Sequence, residues 1–162
     1  GGGMTRYAEG TAVASEQSRA EIERTLARYK ATGFMYGWQG QRAFVGFEVS
    51  GRAIRFVMTM PDPNDRRFWI TPATRRPRSP EAAAKEHDQA VLQRWLALAL
   101  VIKAKLEAVE SGITEFDAEF MAHIVMPDGQ TMGQTLLPRM REALERRQPP
   151  PMLPDYSAGG SA

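Results

Sequence analysis

The spacing of apolar residues along this chain changes several times, and each change marks an element. Ile22, Leu26 and Tyr29 recur at helical intervals behind Ser18, which pairs with Glu21 as a capping box, and Gly33 offers a left-handed stop. The spacing predicts one amphipathic helix over 19–31. From Phe34 the period becomes two. Phe34, Tyr36 and Trp38 share one face of a strand, and Met35, Gly37 and Gln39 share the other. A turn at Gly40-Gln41 leads into a second strand over 42–49, and Ser50-Gly51 turns into a third over 52–60. The pattern is a three-stranded antiparallel meander. Gly37 and Gly46 inside it mark a bulge or a close approach by another group.

Helical spacing returns after Ser79-Pro80, an N-cap followed by proline at the first helical position. The helix that starts there is expected to run to about Ser111 and stop at Gly112. Leu92, Trp95, Leu96, Ala99, Ile102, Leu106 and Val109 form its sheet-facing stripe, while Leu98, Leu100 and Val101 are apolar off that stripe. Such a helix needs cover on more than one side. Self-association is the expectation, with Leu98 and Val101 near the contact. Thr114 is expected to cap a short helix through Phe116 and Phe120, with Asp117 at its N3 position. Pro127-Asp128-Gly129 reads as a hairpin turn. A last helix carries Leu136, Met140 and Leu144, with Pro138 in or near its first turn.

These elements define an α+β fold. Residues 1–14 are expected to be a tag scar (Gly1 to Gly3 ahead of Met4) and a flexible N-terminus. Residues 15–148 form a single domain, and 149–162 a mobile tail rich in proline, glycine and serine. Cysteine is absent, which removes disulfide and thiolate chemistry and fits a reducing compartment. The longest apolar run, residues 95–102, falls far short of the roughly 20 residues that span a bilayer. The N-terminus lacks a signal-peptide pattern, so a cytoplasmic protein without membrane contact is expected.

Charge is unevenly distributed. The net charge is +2, yet residues 52–78 hold seven arginines against only Asp62 and Asp65, a local +5. Phe56, Phe68 and Trp69 are threaded among them, and Pro61, Pro63, Pro72, Pro77 and Pro80 exclude a helix or central strand from 61–80. Guanidinium groups match phosphate oxygens, and aromatic rings stack on unpaired bases. The expected site is therefore Arg66, Arg67, Arg75, Arg76 and Arg78 on phosphates, with Arg42, Arg52 and Arg55 beside them on the sheet. Trp69, Trp38 and Tyr36 would stack on bases. The plain structural alternative is a solvated loop whose arginines pair with acids of the same molecule, and for the aromatic face of the first strand, core packing.

No catalytic signature competes with this segment. His87 and His123 lack ligand-like neighbours, and Glu115, Asp117 and Glu119 are ordinary acids at a helix start. No phosphate-loop or nucleophile-elbow pattern follows a strand. No cofactor, no metal and no enzymatic activity are expected. The leading expectation is a single-stranded nucleic-acid-binding protein acting as a homo-oligomer. The alternative is a protein-interaction module, an inhibitor or adaptor, that sets the same arginines against an acidic surface.

The stretches ATGFMYGWQGQRAFVGFE, from Ala31, and LALALVIKAKLEAVESGITEFDAEFMAHIVMPDG, from Leu96, resemble a set of small uncharacterised phage and prophage proteins. The order of helix, meander and long helix is similar, in topology alone, to the core of single-strand annealing proteins. Together these resemblances imply a bacterial host cell and a DNA annealing or recombination accessory of a mobile element. They transfer no site residues.

Overall fold

The computed structural model describes residues 2–146, with side chains from Ser15 onward. Its elements are α1 (Gly2–Arg28), β1 (Gly33–Gln39), β2 (Arg42–Val49), β3 (Arg52–Thr59), α2 (Arg66–Trp69), α3 (Pro80–Glu110), α4 (Phe116–Phe120), a 3-10 turn (Met121–His123) and α5 (Met132–Arg146). The three strands pair in the order β1-β2-β3, antiparallel throughout, with continuous registers such as Tyr36 to Val45 to Phe56. The expected α+β meander is observed.

One face of the sheet carries Ala43, Val45, Phe47, Val49, Ile54 and Phe56, all buried. They pack with Ile22 and Leu26 of α1 and with Trp95, Leu98, Ile102 and Leu106 of α3 into one core, closed by Phe120. Phe120 is edge-on to Phe47 and Phe56 and stacked on Phe116. On the opposite face Met35 and Val57 stand exposed. Gly37 and Gly46 mark close approaches and not bulges. A side chain at Gly37 would meet the Phe44 ring at 2.6 Å, and one at Gly46 would meet Met35.

The helix ends differ from expectation in instructive ways. Ser18 is buried in the interior of α1 and not at its start, so the stretch before it is helix where a flexible terminus was expected. Ala8, Ala12 and Ala14 with Glu9, Glu16 and Gln17 are strong helix formers, and that preference continues the helix through a would-be cap. Its C-terminal stop is Lys30, not Gly33. Lys30 takes φ +65°, and the amides of Lys30 and Ala31 donate to the carbonyls of Ala27 and Leu26, a Schellman closure. α3 behaves as its sequence predicts. Ser79 accepts from Ala82 N–H at 3.2 Å, and Gly112, at φ +79°, closes the C-terminus by the same motif on Val109 and Ala108.

The buried stripe of α3 is shifted by a fraction of a turn. Leu98 is buried and Leu96 exposed, the reverse of the assignment from spacing. Helical spacing alone leaves the direction of the apolar face ambiguous where apolar residues lie all round; packing against α1 and the sheet together selects Trp95, Leu98, Ile102 and Leu106. Leu98 therefore cannot lie at a surface contact, whereas Leu100 is 69% exposed and Val101 is also exposed.

After α3, Glu115 and not Thr114 stands at the N-cap of α4, without a side-chain cap bond, and Asp117 in its first turn accepts from Arg52. The turn at Pro127-Asp128-Gly129 forms as expected, bracketed by the Val125–Thr131 bridge. α5 begins earlier than its apolar spacing suggests. Thr131 accepts from Gln134 N–H at 3.2 Å while Gln134 Oε1 accepts from Thr131 N–H at 2.8 Å, a capping box legible as Thr-x-x-Gln. Pro138 accordingly lies inside the helix. Leu136, Leu137, Met140 and Leu144 of α5 are all exposed. The proline-rich tail lies outside the described residues.

Candidate nucleic-acid interface

The basic segment is a folded structure and not an open loop. Met60 N–H donates to the Gln41 carbonyl, which ties its start to the β1–β2 turn. Asp62 then bends the chain by accepting from Asn64 N–H at 2.9 Å. Asp65 caps α2 by accepting from Arg67 N–H at 3.0 Å. This helix sits where five prolines argued against one; a single turn fits because residues 64–71, between Pro63 and Pro72, are free of proline. Phe68 is buried edge-on against His87 of α3, whose Nε2 lies 2.8 Å from the Pro61 carbonyl. Ile70 bridges Pro77, and Arg78 N–H donates to the Trp69 carbonyl.

This folding divides the arginines into two groups. Several are used internally. Arg78 donates through Nη1 to the carbonyls of Arg67 and Phe68 at 3.0 and 3.2 Å and clamps the end of α2. Arg52 forms a two-pronged bond with Asp117, both distances 3.0 Å, and this bond holds its guanidinium pKa above the ordinary value. Arg55 donates to the Gly129 carbonyl and to Gln134 Oε1, joining β3 to the start of α5. Arg67 lies over the Phe68 ring, 4.6 Å from its centroid, with Asp65 at 3.8 Å. Arg52 thus pairs with an acid of the same molecule and Arg67 lies near one, as the structural alternative has it, while Arg78 and Arg55 bond carbonyls and an amide instead.

The second group has no such internal partners. The guanidinium groups of Arg66, Arg75 and Arg76 are exposed and make no hydrogen bond or ion pair among the described residues. Arg75 holds φ +51°, a left-handed backbone outside glycine. A groove of about 390 Å³ runs between Arg66 and Arg75 over Ile70, Thr71 and Pro72. Arg42 is exposed at the hairpin end of β2, opposite Gln39 and Thr59.

The aromatic residues divide in the same way. Trp69 is tethered, its Nε1 donating to the Pro63 carbonyl at 2.9 Å. Tyr36 is partly covered by the Arg19 guanidinium, 4.3 Å from its ring centroid. Trp38 is 71% exposed. It borders a groove of about 450 Å³ between α1, the β1–β2 turn and α3, with Arg19, Met60, Asp88 and Trp95 on its walls. Phe34 shares their face of β1 but is half-buried against the core.

Arg19 is a residue that spacing did not reveal. Its Nε is buried without a hydrogen-bond partner among the described residues, its Nη2 is 4.0 Å from Glu16, and its plane lies between Tyr36 and Trp95. Only the crossing of α1 over β1 brings these groups together.

The two histidines serve packing. His123 stacks on Phe56 at 4.0 Å between centroids, and burial lowers its pKa below the ordinary value, with Lys105 adding repulsion and the backbone of Arg55 opposing. Glu119 is bonded to Lys105 at 3.2 Å. Among the described residues no cluster of three metal-ligating side chains occurs, and no helix is long and apolar enough to cross a membrane.

Comparison with protein-family models, with curated proteins and with solved structures finds no match to this chain.

Proposed function

We propose that this protein binds single-stranded nucleic acid, without catalysing a reaction, at the end of the molecule formed by the β1–β2 turn and the loop before α3. The observation that carries the proposal is the group of uncompensated arginines, Arg66, Arg75 and Arg76, on an internally hydrogen-bonded loop tied at Met60 to the hairpin that presents Arg42 and Trp38. Held guanidinium groups bind phosphates without first leaving an acid partner, and an exposed indole gives an unpaired base a stacking surface. A duplex offers no unstacked base to Trp38, which favours the single strand. Arg52 and Arg78 are excluded from this site by their internal bonds. A role as a DNA annealing accessory of a mobile element, in the cytoplasm of a bacterial host, belongs to the same proposal.

The test is binding of a fluorescent oligonucleotide across a salt series. For single strands each phosphate contact contributes about −0.7 to the slope of log affinity against log salt. Replacing Arg66, Arg75 and Arg76 together by alanine should therefore flatten the slope by about 2. Replacing Trp38 by alanine should weaken binding by about 1–3 kcal/mol with the slope unchanged. Equal affinity and slope in the triple variant would remove the site from this loop.

A second reading is favoured by α5, whose Leu136, Leu137, Met140 and Leu144 form a partly exposed apolar row of the kind that docks into a protein groove. Failure of the parent protein to bind any single strand at low salt would put this interaction-module reading in front.

A further inference from the structure

The two edges of the sheet are treated differently. The outer edge of β3 is covered, with Val125 N–H donating to the Ala53 carbonyl at 2.8 Å and Ile124 bridging Ile54. The outer edge of β1 has no partner among the described residues. Register shows which groups it presents. The bond from Met60 N–H to the Gln41 carbonyl places Gln41 in a hydrogen-bonded pair, so alternate residues of β2 from Ala43 to Val49 turn their backbone toward β3. Arg42, Phe44, Gly46 and Glu48 then turn toward β1, where their partners are Gln39, Gly37, Met35 and Gly33. Phe34, Tyr36 and Trp38 are left with N–H and C=O groups directed away from the sheet.

Edge strands are ordinarily blunted by lysine, proline, an inward charge or a bulge. β1 reads GFMYGWQ, with no charge, no proline and no break in register. The strand is also self-complementary. A two-fold axis at Tyr36 pairs Tyr36 with its own copy, Phe34 with Trp38, and Met35 with Gly37. Antiparallel alternation makes Phe34–Trp38 and Tyr36–Tyr36 hydrogen-bonded pairs, each exchanging two backbone bonds. On one face the aromatic rings meet across the strands, a favourable cross-strand pairing. On the other, a large Met35 faces a glycine. This register alone engages all seven residues of both strands.

We propose that β1 is a self-association surface through which two copies of this chain join antiparallel, edge to edge, into one continuous six-stranded sheet. The contact is isologous and closes on itself, so it ends at a dimer. It stands on the strand edge and not on nucleic-acid binding, although Trp38 belongs to both surfaces, and it uses neither Leu98 nor the apolar row of α5.

Cross-linking tests the register. The chain has no cysteine, and a hydrogen-bonded antiparallel pair sets Cα atoms about 5.5 Å apart, within disulfide reach. Tyr36→Cys should give a covalent dimer under mild oxidation, and Asn64→Cys, on the exposed loop, should not. Sedimentation tests the edge. Trp38→Pro removes an outward N–H and leaves the β1–β2 ladder intact, so the variant should keep its circular dichroism while its dimer dissociation constant rises about tenfold or more. A parent protein that stays monomeric at about 100 µM overturns the proposal. So does a Trp38→Pro variant that dimerises like the parent, or cross-linking at Tyr36→Cys no faster than at Asn64→Cys.

Discussion

Replacing Phe120 by alanine removes the ring at which the core converges. Phe120 is 0% exposed, meets Phe47 and Phe56 edge-on at centroid distances of 6.2 and 6.4 Å, and stacks on Phe116 at 4.6 Å. A buried Phe→Ala change costs about 3–5 kcal/mol, and three aromatic neighbours place this one in the upper part, about 4–5 kcal/mol. A domain of this size has only about 5–15 kcal/mol in total, so the variant should be severely weakened but still folded in buffer if the parent lies in the upper half. Urea unfolding followed by far-UV circular dichroism measures this. With a urea dependence of about 2 kcal/mol per molar, the midpoint should fall by about 2 M at unchanged slope. Leu100→Ala, at an exposed position of α3, should move the midpoint by less than about 0.3 M, the equivalent of about 0.5 kcal/mol. A loss below about 1 kcal/mol for Phe120→Ala would refute the placement of α4 as the lid of the core.

Arg78→Ala should lower stability by about 1–3 kcal/mol by leaving the α2 carbonyls without a donor, whereas the triple Arg66, Arg75 and Arg76 alanine variant should unfold at the parental urea midpoint. His123 should give a pH dependence. Because its folded pKa is lowered, the unfolded chain binds its proton first as pH falls through about 6.5, so stability declines there and levels off below the folded value. Thermal unfolding from about pH 8 to about pH 5 should show that decline in the parent and a smaller one in His123→Gln. Gly133→Ala would place a Cβ 2.7 Å from the Ala122 carbonyl oxygen and should cost about 1–3 kcal/mol; an unaltered unfolding midpoint would show that α5 is not held at that point.

Much of this fold is written in local pattern. Period-two alternation and the turns at Gly40-Gln41 and Ser50-Gly51 specify the meander, and Ser79-Pro80 with Gly112 sets both ends of α3, because these signals act between residues close in sequence. The same locality misled at Ser18, where a capping box sits within a helix that stronger upstream propensity extends. It missed the Thr131–Gln134 box, which was legible as a motif but masked by the more obvious apolar spacing further on. The fate of the arginines was a different matter. Composition marked the segment 52–78 as basic, but which guanidinium groups stay free depends on acids and carbonyls far away in sequence. Arg52 meets Asp117 and Arg55 meets Gly129 only once α4 and the hairpin before α5 fold back on β3. Likewise the aromatic face of β1 could not be assigned to core or surface by alternation, which distinguishes two faces but not which of them the helices cover. Tertiary packing decided that Phe34 meets the core while Trp38, at the hairpin end of the same strand, remains exposed.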